Sequence, residues 1–305
     1  MAVVCVVDGR DRLGEGPCWS EADGCLYWFD IVGRRLSWFE PVSGASGSWP
    51  LPVRASAAAP LADGGLIAAT EKGLARIDTD SGAMFLVEPV DLGEGFRSNE
   101  GRIDPAGRFW WSRMHDAAEA PGGVYRTDPD GTTHCVMDDV LVPNTLVGAA
   151  DGRTLYLADS RDKALYAFTV GPDGTLGDRR LFAEVEEGVP DGGALDAEGF
   201  LWNAHWGGGK VVRYAPDGRI DRIVPMPVRQ PSSCAFGGPG LGVLYVTSGR
   251  VGLPPEVREA QPKAGGLFAF YPGVRGLPLP AFEGWRGRPG TPIMSKTPDA
   301  RGLQE

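Results

Sequence analysis

Short apolar runs alternate with turn signals along the whole chain, and no window shows the 3.6-residue spacing of a long amphipathic helix. The pattern is most complete from Val189 to Gly218, VPDGGALDAEGFLWNAHWGGGKVVRYAPDG. After Asp191 it predicts a small-residue strand at 193–195, a turn at 196–199 and an apolar strand at 200–204. A Gly-rich turn, a third strand at 210–214 and a Pro-Asp-Gly turn follow. These are hairpin signals: Gly takes the left-handed backbone of a tight turn, and Asp bonds its own backbone two residues on.

The same phrase recurs. GCLYWFDI precedes RRLSWFEPVSG, GGLIAAT precedes KGLARIDTDSG, and DPAGRFWWSRM precedes GGVYRTDPDG. DGRTLYLADS precedes KALYAFTVGPDG, and GVLYVTSG precedes GGLFAF. Aligned on the apolar residue after each first turn, Leu26, Leu66, Phe109, Leu155, Leu201 and Leu244 stand at intervals of 40, 43, 46, 46 and 43. Several strands per period of this length mark propeller blades, so the prediction is an all-β, six-bladed β-propeller. The apolar run at 3–7 is expected to join the last blade and close the ring. Residues 1–282 form the propeller in this reading. Residues 283–305, rich in Gly, Pro and charge and without alternation, are expected to be a mobile tail.

Composition refines this. The 45 Gly and 26 Pro fall at turns rather than in clusters, as many short strands require. A formal net charge of −10 without any Lys/Arg cluster argues against nucleic acid or an anionic membrane surface as partner. The first residues are too short an apolar run, and lack the basic flank, to read as a secretory signal, and no later run has transmembrane length. The odd cysteine count of 5, with no CxxC pair, reads as buried thiols in a reducing cytoplasm, with a Cys18–Cys25 bridge as the alternative.

Register then locates candidate chemistry. Glu15 lies 11 residues before Leu26, Asn99 10 before Phe109, Asn144 11 before Leu155 and Asp191 10 before Leu201. Equivalent blade positions form a ring about a propeller axis, so these four polar side chains are expected to converge at one end of the central channel. The other two blades offer Ala55 or Ser56, and Ser233 or Cys234, which leaves room on one side. Two carboxylates brought together there would repel each other without a cation, so the ring reads as a divalent-cation site.

With these segments in hand, the chain resembles the gluconolactonase and regucalcin family of six-bladed propeller lactonases. LGEGPCW, RSNEGRIDPAGRFW, VPNTLVGAADGRTLYLADS, VPDGGALDAEGFLW and SSCAFGGPGLGVLYVTS match its motifs in order over residues 10–270. The resemblance implies that Glu15, Asn144 and Asp191 bind one divalent metal ion, with Ca, Zn, Mn, Mg and Fe(II) all open. It also implies that Arg97 and Asn99 contact substrate. The connection SRMHDAAEAPGGVYR is the one that in this family leans over the site and supplies an acid to the sugar. Spacing to GGVYR favours Glu119, with His115 and Asp116 as rivals. Glu100 stands where the family more often has Asp, and Thr145 where it usually has Gly.

The activity so implied is hydrolysis of a sugar (aldono-)lactone to the aldonic acid. The ion polarises the lactone carbonyl, and Asp191 acts as general base toward the attacking water. The partner is then a small sugar lactone, and the protein is expected to be cytoplasmic, a monomer or weak oligomer. Two other readings stay open: hydrolysis of an aryl ester or organophosphate, and a non-enzymatic propeller whose metal plugs an acidic channel. Other catalytic templates are missing. There is no G-x-S-x-G elbow, no Walker loop, no G-x-G-x-x-G opening a helix and no HExxH. Gly237–Gly242 precedes a strand and reads as a turn. His205 falls at a pocket rim and His134 in a strand.

Overall fold

The computed structural model describes residues 1–288 and 290–294. Six antiparallel sheets each start with an innermost strand: Gly14–Ser20, Ala55–Pro60, Phe96–Ile103, Pro143–Gly148, Val189–Leu195 and Pro231–Gly237, in blades 1 to 6. Each inner strand packs against the inner strands before and after it, and the sixth returns to the first, so the six line one central channel. The expected six-bladed propeller is observed. Its ring closes where Val4–Val7 pairs with Leu267–Phe270 of blade 6, as the apolar run at 3–7 predicts.

The core lies between blades rather than within one barrel. Six buried clusters occupy the six blade interfaces, among them Tyr27, Phe29 and Leu36 against Leu66 and Ile77, and Trp202 and Val211 against Phe236 and Phe268. A blade has two apolar faces, so its middle strands, such as Leu66–Thr70, are buried throughout rather than alternating.

The D-x-x-G turns do more than reverse the chain. Asp196 accepts from the amides of Glu198 and Phe200 at 3.0 Å each, and its other oxygen takes the Trp202 Nε1–H at 2.9 Å and Arg213 Nε at 2.8 Å. Asp104 repeats this with Ala106, Arg108 and Trp110 in blade 3. One buried carboxylate thus fixes a turn and anchors the indole at the blade interface.

Three expectations are revised. The strand predicted at 193–195 begins at Val189, because pairing with Leu201–Trp206 resumes beyond a bulge between Pro190 and Gly193. The residues from 283 do not all stand apart from the propeller. Trp285 is buried against Phe282, and Thr291–Pro292 adds a fifth strand to blade 2 beside Met84–Pro89. Burial of that indole and completion of an open sheet edge hold the segment; the rest of the expected tail, residue 289 and residues 295–305, lies outside the described residues. All five cysteines are free, but only Cys18 and Cys234 are buried as expected: Cys135 is exposed and Cys5 half-buried, because both lie on outermost blade strands, and Cys25 is half-buried beside a turn. The pairing sets Cys18 opposite Tyr27 and Cys25 opposite Ser20, so no Cys18–Cys25 bridge forms. Among the described residues no helix is long and apolar enough to cross a membrane.

Candidate active site at the upper end of the channel

Every inner strand carries a pairing irregularity at the same level, one to four residues into the strand: between Glu15 and Cys18, Ala55 and Ala57, Ser98 and Gly101, Asn144 and Val147, Pro190 and Gly193, and Pro231 and Cys234. A bulge re-aims the residues within it and bends the strand. Six bulges in register therefore turn short stretches of backbone and side chain into the upper channel, where the strands begin.

Two glycines make the close approach possible. At Gly16 (φ 56°) a Cβ would stand 2.1 Å from the Ser56 carbonyl oxygen of the next blade. At Gly192 it would meet Ser233 Oγ at 2.0 Å and Glu100 Oε2 at 2.7 Å. The G-E-G and D-G-G spellings around Glu15 and Asp191 thus reflect backbone packed against neighbouring blades.

The bulges bring Glu15, Asn99, Glu100, Asn144 and Asp191 into one buried group, with Glu15 and Asp191 only 7% and 6% exposed. Neither of those two carboxylates accepts a hydrogen bond from another side chain among the described residues. Burial first, then the Asp191 and Glu100 charges, holds the Glu15 carboxyl well above its ordinary range, with Arg97 opposing. Burial and the Glu100 charge do the same to Asp191. Only the Gly16 and Gly192 backbone amides oppose this from the donor side, and two anions crowded without side-chain donors are what a divalent cation relieves.

The third oxygen is set by a relay of neutral bonds. Asn144 Nδ2 donates to Ser160 Oγ at 2.8 Å, and Ser160 Oγ donates to the Pro190 carbonyl at 2.6 Å. The Asn144 amide oxygen is thereby turned the other way, where it accepts from Asn99 Nδ2 at 2.9 Å and keeps one lone pair. Among the described residues no three or more His, Cys, Asp and Glu side chains are grouped to hold a metal. The fit therefore rests on two carboxylates and this amide.

Thr145 explains its own substitution. Its φ is 49°, a left-handed backbone that a β-branched residue rarely adopts and glycine adopts freely. Its hydroxyl donates to the Asp191 carbonyl and accepts from Asn203 Nδ2 at 2.8 Å. That bond ties the bulges of blades 4 and 5 together and holds the Asp191 backbone in place.

Arg97 is largely buried and bonds Asn99 Oδ1 at 2.6 Å and the Ser98 carbonyl at 2.9 Å. Its carboxylate partner is Asp116, with Nε at 3.1 Å. Arg54 grips the same carboxylate at 2.8 Å and Glu71 at 2.7 Å. Of the three candidates on the loop, Asp116 is thus the one joined to the site. Glu119 is exposed and takes part in none of the site's hydrogen bonds or ion pairs, and His115 packs its ring against Phe96 at 5.2 Å.

Two residues have a part in the site that sequence reasoning did not assign: Glu100, noted only for standing where Asp is more usual, and Arg54, which reaches the site through Asp116. Glu100 is buried with Oε2 unpartnered, and its charge is felt by both Glu15 and Asp191. Strand alternation sends it to the face opposite Asn99; the bulge overrides that parity. Arg54 precedes the small residues of blade 2, and nothing in its local sequence marks it as part of a clamp.

These features define a class: a six-bladed propeller with a polar axial site built from bulges in its inner strands. Comparison with known proteins then gives the family. Residues 13–250 match the SMP-30/Gluconolactonase/LRE-like region, and the chain belongs to that family. It is 35% identical over 286 residues to the 6-deoxy-6-sulfogluconolactonase of Pseudomonas putida, covering 92% of this chain and 98% of that one. It is 36% identical to the L-arabinolactonase of Azospirillum brasilense, covering 92% and 95%. The crystal structure of a calcium-binding protein, regucalcin, from Agrobacterium tumefaciens superposes with a TM-score of 0.87 at 32% identity, covering 92% and 97%.

Proposed function

We propose that this protein hydrolyses a sugar lactone to the corresponding aldonic acid, using one divalent cation held by Glu15, Asn144 and Asp191. The observation that carries the reading is the pair of buried, donor-poor carboxylates, Glu15 and Asp191, facing an oriented amide oxygen beside the Arg97–Asn99 pair. Relatives named as lactonases for sugar lactones, matched over nearly their whole length, support the substrate class. The relative titled a calcium-binding protein supports a divalent ion, and its identity is left to measurement.

When bound, the ion supplies Lewis-acid polarisation of the lactone carbonyl. The protein's own groups do the rest. Arg97 offers N–H donors to the sugar hydroxyls or ring oxygen, held by Asp116, which Arg54 grips in turn. Asn99, whose Nδ2 is taken by the Pro143 carbonyl and the Asn144 amide oxygen, offers the remaining lone pair of Oδ1 to a sugar hydroxyl. Asp191 takes a proton from the attacking water as the water oxygen bonds the carbonyl carbon. The ring C–O bond then breaks and Asp191 returns that proton to the departing oxygen, giving a free hydroxyl and an aldonic acid that ionises to the carboxylate and releases a proton. A base so placed contributes roughly 10² to 10⁴ in rate. Free thiols and an acidic surface agree with a cytoplasmic protein, monomeric or weakly associated, acting on a small molecule.

The test is proton release from a panel of pentono- and hexonolactones, before and after chelation, with Asp191→Ala as background. Turnover lost on chelation and restored by added metal is expected, with Asp191→Ala folded and reduced by about 10² or more. No rate above background on any lactone, with metal verified in the protein, would overturn the reading in favour of another ester or a scaffold.

A further inference from the structure

The lower half of the channel holds a separate cavity of about 710 Å³. Its walls are the far ends of the same six inner strands, with Ala58, Ile103, Val147, Leu195 and Phe236 among them, and none of Glu15, Asn144 and Asp191 borders it. This size is typical of pockets that hold small organic molecules.

A strap of chain forms its floor. The Gly276 amide bonds the Leu241 carbonyl at 2.9 Å and the Leu277 amide the Leu195 carbonyl at 3.1 Å; five residues on, the Phe282 amide bonds the Pro60 carbonyl at 2.7 Å. Leu195 belongs to blade 5 and Pro60 to blade 2, which stand opposite each other in a ring of six, so residues 277–281 cross the mouth along a diameter. Their sequence, LPLPA, places two prolines without N–H groups in the span, a stiff extended segment with few donors to satisfy.

The one charged group deep in this apolar space is Arg102. Its Nη2 donates to the Cys234 carbonyl at 3.1 Å, its Nε is buried without a partner, and no carboxylate among the described residues lies within ion-pairing distance of it. At the rim, Glu21 is engaged by Trp19 Nε1 at 2.7 Å, and Arg275 adds a second guanidinium. The Arg102 charge is felt by the buried Glu100 from beyond ion-pairing distance. A guanidinium with no anion in contact, set among alkyl and aromatic walls, complements a carboxylate that carries an apolar body. A sugar acid does not fit the description, because its hydroxyls would face strand backbone already committed to ladders.

We propose that the lower channel is a second binding site, for a small carboxylate with an apolar body, whose head group pairs with Arg102 beneath the strap. The probes are octanoate, 1-octanol for the tail alone and gluconate for the head alone, titrated by calorimetry against the metal-loaded full chain. Saturable binding of one octanoate is expected, with the other two at least tenfold weaker. Arg102→Leu should weaken octanoate at least tenfold and Arg102→Lys less, and Asp191→Ala should bind it like wild type, which separates this site from the lactone reading. Should Arg102→Leu fail to fold, a diazirine analogue of octanoate on the wild-type chain decides, with labels expected within 275–281 or the lower strand ends. No saturable octanoate binding, equal binding of octanol or gluconate, or labels confined elsewhere would overturn the proposal.

Discussion

The two halves of the central channel are built from the same six strands, yet they follow opposite rules. Above the bulges the strands turn Glu15, Asn99, Glu100, Asn144 and Asp191 inward, with carboxylates held away from their ordinary ionisation and Thr145 in a left-handed backbone. Below them the channel is lined chiefly by small and apolar side chains, and the blade interfaces alongside pack aromatic against aliphatic. The bulge is the dividing device. It resets strand parity once per blade, so polar residues can crowd one end without disturbing the alternation that builds the other. The upper end spends stability on a reactive arrangement, and the interfaces flanking the lower half supply it.

That contrast can be broken most severely from the lower side. Trp202 is fully buried, packs against Phe236 and Phe270, and is held by Asp196. Trp202→Ala is expected to cost about 3–5 kcal/mol in denaturant unfolding, while the folded fraction keeps its lactone KM within about twofold. A large change in KM with stability preserved would show that the halves are not separable.

A smaller effect distinguishes the ends by pH. His205, expected at a pocket rim, is instead buried at 3% exposure opposite Pro190. Burial, then the Lys210 charge, pushes its ring down to about 4 from its usual 6.5, with Nε2 at 3.1 Å from the Tyr214 hydroxyl. The unfolded chain takes up that proton below about 6.5 and the folded one only near 4. The neutral ring's contribution is therefore present above 6.5 and lost as pH falls toward 4, by about 2 kcal/mol between pH 7 and 5. Asp11, raised to about 6 chiefly by burial, acts in the opposite sense, since its protonated form favours the fold below that pH. The difference between wild type and His205→Gln isolates the histidine: equal pH slopes in the two proteins would refute the assignment. In the lower channel burial holds the Cys18 thiol up at about 12, so it contributes no slope in this range.

The smallest effect sharpens the role of the bulges. Thr145→Val keeps the shape and removes the hydroxyl that joins blade 4 to the Asp191 carbonyl, which Asn203 still bonds at 2.8 Å. A loss of about 1 kcal/mol is expected, with kcat reduced more than KM. Thr145→Gly relaxes the backbone and should be the more stable of the two; the reverse order would mean that the left-handed φ carries no strain.

Much of this was legible beforehand, and the reasons for success and failure are physical. The period in the forties, the turns and the closing strand at 3–7 follow from local hydrogen-bond and packing preferences, which repeat because each blade solves the same problem. The alignment of Glu15, Asn99, Asn144 and Asp191 could be read because a propeller converts sequence register into position around an axis. Glu100 was hidden because parity fails at a bulge. Asp116 was not separable from Glu119 because the reach of a loop side chain depends on what it meets, here Arg97 and Arg54 from two blades. The residues after 282 lack alternation since they contribute one indole and two paired residues to existing surfaces rather than forming a unit of their own.

By itself, then, the sequence determined the blade count, the closure of the ring and the four polar positions sharing one level, because these depend on spacing along the chain. Tertiary structure decided which lone pairs face the channel, which acid holds Arg97, how the 277–281 strap crosses the lower mouth and where Arg102 is left without an anion in contact. Those outcomes depend on groups from opposite or neighbouring blades meeting in space, and residues as far apart as Pro60 and Phe282 carry no local pattern that records the meeting.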